Sequence, residues 1–217
     1  MLWEFFRTNL LWTEGYTLML IVLGCMLLSY LIYRPVFYGT VLLFVFLLWF
    51  FRLPQRECPE CVYDSSVIVC PADGKVVDIQ FGDVGYGFCQ KVTIFLSMLD
   101  AHVMWAPVSG VVDEVAYYPG AHLFAFLPKS SLLNEHNDLF ITSAAGHSLV
   151  VRQIAGTIAR RICCWVAAND RVHAGEAYGM IRFGSAVELF LPQEALLSVG
   201  KGQLVIGGQT VLGRWTA

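Results

Sequence analysis

Charge is the scarcest ingredient of this 217-residue chain. Asp, Glu, Lys and Arg make up only 14% of it, and 14 basic against 17 acidic residues leave a net charge of −3. With no run of Lys or Arg, the sequence lacks both the basic footprint of a nucleic-acid partner and a polybasic lipid-binding tail. Lysine is scarcer still, at Lys75, Lys91, Lys129 and Lys201 alone. The seven cysteines are odd in number and irregularly spaced, which argues against a disulfide framework and for plain thiols in a reducing compartment. Cys58-Pro59-Glu60-Cys61 would need two further ligands to hold zinc, and Cys163-Cys164 would point to opposite faces of a strand. No metal site is expected.

What the chain has in excess is apolar residues, at 57%. The excess lies before residue 52, in two charge-free runs, Thr17 to Tyr33 and Val36 to Phe51, separated by Arg34-Pro35. As helices, runs of about 16 residues span roughly 24 Å, slightly less than a hydrocarbon core. Tyr30, Tyr33, Tyr38, Trp49 and Arg52 can extend them into the interface, giving a transmembrane hairpin over residues 1–53. Glu4 and Glu14 spoil the basic start of a signal peptide. Arg7, Arg52 and Arg56 outnumber Arg34 at the tip, which places both ends of the hairpin, and the domain after it, in the cytoplasm.

Beyond Pro54 no long helical period appears. Short apolar runs punctuated by glycine read as strands over 67–69, 74–81, 91–96, 110–117, 139–143, 148–154, 161–166, 180–183 and 187–191. Residues 54–217 are therefore a mainly β domain. Ala106-Pro107-Val108-Ser109-Gly110 and Asn169 to Glu176 look like pieces of a biotinyl- or lipoyl-carrier barrel-sandwich. No lysine stands in the context such a carrier needs, so the likeness concerns architecture, and a non-catalytic carrier-like domain is the alternative reading.

The stretch from Gly179 to Pro192 has apolar residues alternating on both sides of Gly184-Ser185, as two strand arms would. A serine hydroxyl can attack the preceding glycine's carbonyl and move the acyl group from nitrogen to oxygen. Elimination from that ester gives dehydroalanine, which hydrolyses to an N-terminal pyruvoyl group. Removing the serine proton needs a base, and of five histidines His102, in Asp100-Ala101-His102, is the best placed. His122, His136, His147 and His173 stand in polar or turn contexts and read as solvated.

Arg182-Phe183-Gly184-Ser185-x-Val187-x-Leu189-Phe190-Leu191-Pro192 resembles the processing site of the short, bacterial and archaeal-type phosphatidylserine decarboxylases. The resemblance extends through Phe50-Phe51-Arg52-x-Pro54, Cys70-Pro71-Ala72-Asp73-Gly74-Lys75-Val76, Leu99 to Val103, Ala106 to Gly110, Asn134-Glu135-His136-Asn137 and Gln153 to Gly156. It implies self-cleavage between Gly184 and Ser185 into a β chain (1–184) and an α chain (185–217), which pair as a heterodimer open to further oligomerisation. It also implies a covalent pyruvoyl cofactor from Ser185, and conversion of phosphatidylserine to phosphatidylethanolamine and CO₂ through a Schiff base, at the inner cell membrane. A related decarboxylase of archaetidylserine-type lipids carries the same implications. Asp73 corresponds to the triad aspartate, while the family's second histidine is replaced by Trp105, so the base role moves to His102. Lys129, Asn134, His136 and Asn137 are the substrate-binding candidates, with His136 where the family usually has arginine.

Overall fold

A proline in the first turn of a helix gives up an N–H that has no helical partner anyway, and Pro35 takes that position here. The computed structural model describes residues 12–123, 133–156, 161–182 and 185–216. Helix α1 (Trp12–Ile32) ends at an extended Tyr33, and α2 (Arg34–Phe50) begins directly after it. The two pack together, with Ser29 Oγ 3.3 Å from Thr40 Oγ1 and Tyr30 edge-on to Phe37. Helix α1 starts before the expected Thr17, because Trp12 to Tyr16 continue the turn although they are not wholly apolar. Its stretch from Glu14 to Ile32, with mean hydropathy 2.1, is long and apolar enough to cross a membrane, whereas α2 is a shorter apolar helix of 17 residues. Leu27, Leu28, Leu31 and Leu42 lie exposed on this unit, which is separate from the one that starts at Arg56.

The second unit is mainly β. After the short helix α3 (Pro59–Tyr63) come β1 (Val67–Val69), β2 (Gly74–Phe81), β3 (Gln90–Leu96), β4 (Val103–Trp105), β5 (Gly110–Tyr118), β6 (His136–Ser143) and β7 (Ser148–Ile154). They are followed by β8 (Ile162–Cys164), β9 (Arg171–Val172), β10 (Ala177–Ile181), β11 (Ser185–Leu191), β12 (Ala195–Leu197), β13 (Leu204–Val205) and β14 (Val211–Trp215). An eight-stranded sheet in the order β13-β2-β3-β11-β7-β6-β5-β9 curls around the core, and two three-stranded sheets, β1-β14-β12 and β4-β10-β8, complete the unit. Alternation decides which face is inside: Val187, Leu189 and Leu191 of β11 join Val92, Ile94, Leu139, Ile141 and Val151 in the core.

The opposite face of the large sheet carries a row of charge. Asp138, Arg152, Glu188 and Thr93 are register partners across β6, β7, β11 and β3. Arg152 donates from Nε to Asp138 Oδ1 and from Nη2 to Oδ2, both at 2.8 Å, with the two side chains 7% and 0% exposed. Lys91 pairs with Glu188 at 3.2 Å, and the Tyr86 hydroxyl donates to Asp138.

The cysteine expectation needs correction at one pair. Cys58 and Cys61 form a disulfide rather than remaining plain thiols, because Cys58 caps α3 and one helical turn brings their Cα atoms to 5.3 Å. Cys163 is buried and Cys164 less so, on opposite faces of β8.

Candidate active site

Antiparallel pairing puts Asp73, His136 and Ser185 at one end of the large sheet. Asp73 precedes β2, Leu96 closes β3, His136 opens β6, Ile154 closes β7 and Ser185 opens β11. Ser185 pairs with Leu96, and the next residue, Ala186, stands in one row with Phe95, Ile154 and His136. At about 4.8 Å per strand, the backbone of His136 lies roughly 10 Å from that of Ala186. The two arms around the Gly-Ser pair belong to different sheets: β10 runs between β4 and β8, and β11 between β3 and β7. The chain thus leaves one sheet at Ile181 and enters the other at Ser185. Phe183, Gly184 and Lys129 lie outside the described residues.

His102 sits beside the end of β10. It is fully buried, and its carbonyl accepts the Ile181 N–H at 3.0 Å. It immediately precedes β4. Nδ1 lies 2.9 Å from the Asp100 carbonyl oxygen, which can only accept, so Nδ1 carries the hydrogen and a neutral ring has its lone pair on Nε2. A backbone carbonyl therefore orients the imidazole. The turn that supplies it is pinned in its own right, with Ser97 N–H donating to Asp100 Oδ2 at 2.7 Å and Asp100 N–H to Ser97 O at 3.0 Å.

Asp73 does not take up the aspartate–imidazole geometry of a triad. Its oxygens accept both ends of the Arg56 guanidinium, the Gly207 N–H at 2.9 Å and the Ala101 N–H at 3.3 Å. It thus reaches His102 through the adjoining peptide. Arg56 also donates to the Gly207 carbonyl at 2.6 Å and lies 4.2 Å over the ring of buried Trp105. The indole occupies space that only glycine backbone can border, since a Cβ on Gly207 would come within 2.4 Å of it. Next to this cluster, burial pushes the Cys70 thiol up to about 12, and its Sγ–H donates to the Ala72 carbonyl.

Among the described substrate candidates, Asn134, His136 and Asn137 are buried, contrary to the solvated reading of His136. Asn134 uses its whole amide to tie Leu123 N–H and O to the Ala155 carbonyl, at 2.7–2.9 Å. His136 donates Nδ1–H to the Asn134 carbonyl at 2.8 Å and stacks on Tyr118 at 4.8 Å. Asn137 donates to the Gln153 side chain at 3.1 Å. A 4.7 Å stack on Trp215 likewise holds His147. Arg56 and the Asp100 carbonyl were missed in the sequence; the one signal for Arg56 was a guanidinium in a chain so poor in charge.

Similarity to known proteins places the chain among the decarboxylases. A family model described as phosphatidylserine decarboxylase matches residues 43–213. The chain is 43% identical over 173 residues to the phosphatidylserine decarboxylase proenzyme of Syntrophus aciditrophicus, covering 78% of this chain and 79% of the relative. The proenzymes of Desulfotalea psychrophila and Burkholderia mallei are each 39% identical, over 80% and 79% of this chain and 84% and 79% of their own lengths. The protein belongs to the phosphatidylserine decarboxylase family.

Proposed function

We propose that the protein converts phosphatidylserine to phosphatidylethanolamine and CO₂ after cutting itself between Gly184 and Ser185. In this reading the chains 1–184 and 185–217 stay together as a heterodimer. The N-terminal helices anchor them in the inner cell membrane, with the β domain facing the cytoplasm. The observation that supports the proposal is that Ser185 opens β11 while the carbonyl of buried His102 accepts the N–H of Ile181, the last residue of the preceding strand β10.

His102 Nε2 accepts the Ser185 hydroxyl proton as the oxygen adds to the Gly184 carbonyl carbon. The carbon–nitrogen bond then breaks, the nitrogen takes up a proton, and an ester remains. Loss of the Ser185 Cα proton, with cleavage of the Cβ–O bond, frees Gly184 as a carboxylate. Water then replaces the resulting enamine nitrogen, which leaves as ammonia. The site suits the resulting ketone, because residue 185 is fixed by the β3 ladder instead of ending in a loose tail. A pyruvoyl group there supplies an electrophilic carbonyl for the substrate amine and a sink for the electron pair that CO₂ leaves behind. His102, once protonated, returns a proton to the substrate carbon. Asn134 and Asn137 shape the site, since their amides are engaged by the protein, and His136 remains the head-group candidate among the described residues.

The test is the intact mass of purified protein. Two fragments are expected, 185–217 being blocked to Edman degradation, and Ser185→Ala should give one uncut, inactive chain. An uncut wild-type chain with full activity would refute the proposal.

A further inference from the structure

Asp73 and His102 both lie at the site, yet the carboxylate is bound to a cation that the mechanism so far does not use. We propose that Arg56 is a positioning residue for self-cleavage, holding Asp73 so that its carboxylate anchors the Ala101 amide and thereby fixes the imidazole of His102. The inference rests on the reading of His102 as the base.

Three contacts made by one planar group support it. The guanidinium forks onto both Asp73 oxygens, donates to the Gly207 carbonyl and lays its face on Trp105, with the Arg56 and Asp73 side chains only 10% and 12% exposed. Only arginine can do all three, because lysine offers a point charge with no fork and no flat face. Asp73 in turn accepts two backbone N–H groups, from Gly207 and Ala101. The Ala101 bond, at 3.3 Å, is the longer of the two and the first to yield when the carboxylate shifts.

Ala101 is the peptide between the two residues that set the ring. Asp100 gives the carbonyl that receives Nδ1–H, and His102 gives the carbonyl that receives Ile181 N–H. A slack Ala101 lets the Asp100 carbonyl tilt, and the ring turns with it. Trp105, where the broader family has a histidine, adds the flat surface on which Arg56 rests. The replacement therefore trades a second imidazole for a seat that fixes the carboxylate.

The experiment measures the cleaved fraction of the full-length chain over time, well below each variant's own melting midpoint. Arg56→Lys should slow cleavage by roughly 10- to 100-fold, the scale for an ångström-sized misplacement of a reacting group. The same substitution in a His102→Ala background should add less than about twofold, because an effect exerted through the imidazole vanishes with it. If Arg56→Lys fails to fold, Arg56→Met with Asp73→Asn removes the buried charge along with its partner. A single amide oxygen replaces two acceptors, so this pair should fold yet cleave slowly. Wild-type cleavage by Arg56→Lys or by the folded neutral pair overturns the proposal, as does an equal slowing with and without His102. If His102→Ala itself cleaves at the wild-type rate, the base assignment fails, and the Arg56 proposal with it.

Discussion

Replacing Arg152 by methionine tests the row of charge that crosses the large sheet. Methionine keeps the stem of the side chain but leaves Asp138, which is fully buried, without the two 2.8 Å bonds that Arg152 supplies. The Tyr86 hydroxyl still donates to Asp138, but a neutral donor does not replace a cation. Breaking a buried pair on one side costs about 3–5 kcal/mol, because the remaining charge stays in a poorly polarisable setting. For a domain of this size each kcal/mol moves the melting midpoint by about 2–4 °C, so a fall of roughly 6–20 °C is expected. Removing both partners, as Arg152→Met with Asp138→Leu, should recover at least half of the fall, since an apolar pair of similar volume is often neutral in place of an ion pair. The assay is thermal unfolding of purified protein in detergent, followed by intrinsic fluorescence. A single-variant fall of less than about 2 °C, within one kcal/mol on the same scale, would refute the reasoning. So would a double variant no more stable than the single one.

Two further predictions concern other parts of the chain. Cys70, with its thiol pushed up to about 12, should stay unmodified by iodoacetamide at about pH 8 in the native protein and react on denaturation, while exposed Cys89 reacts in both states; native labelling of Cys70, read by peptide mass, would contradict its burial. Deleting residues 1–53 should move the protein from the membrane fraction to the soluble one with self-cleavage retained, and a truncated chain that stays in the membrane pellet would count against the anchor.

Much of this architecture was legible because its signals are local. Glycine-punctuated apolar runs gave β2, β5 and β7 close to their observed limits, and the interruption at Arg34-Pro35 marked the bend between the helices. Two-residue strands such as β9 and β13 are too short to show a period, and they exist only because β5 and β2 offer edges to pair with. The site was legible as a set of residues and illegible as a set of bonds. Asp73 does bind the peptide next to His102, yet its side-chain partner is Arg56, 17 positions earlier, and the carbonyl that completes the cluster is 151 positions from Arg56. No spacing rule reaches that far. His136 looked solvated because polar residues usually are, but it is buried with its Nδ1–H bonded to the Asn134 carbonyl. The disulfide at Cys58 depended on a single helical turn that five residues form only against their surroundings.

The position of β11 changes what kind of folding problem the mature protein presents. This strand is hydrogen-bonded on both sides, by β3 and β7, while β14 lies between β1 and β12 in a second sheet. A cut ahead of Ser185 therefore frees no peripheral piece; it turns the middle of two sheets into a separate molecule. The precursor folds in a unimolecular reaction whose stability is independent of concentration. If cut as proposed, the protein becomes a two-fragment assembly in which unfolding is also dissociation, so its melting midpoint would rise with concentration and refolding after dilution would become a search between partners. The proposed self-cleavage would thus make folding a one-time event: the uncut chain builds the sheet, and the cut chain keeps it for as long as it never lets go.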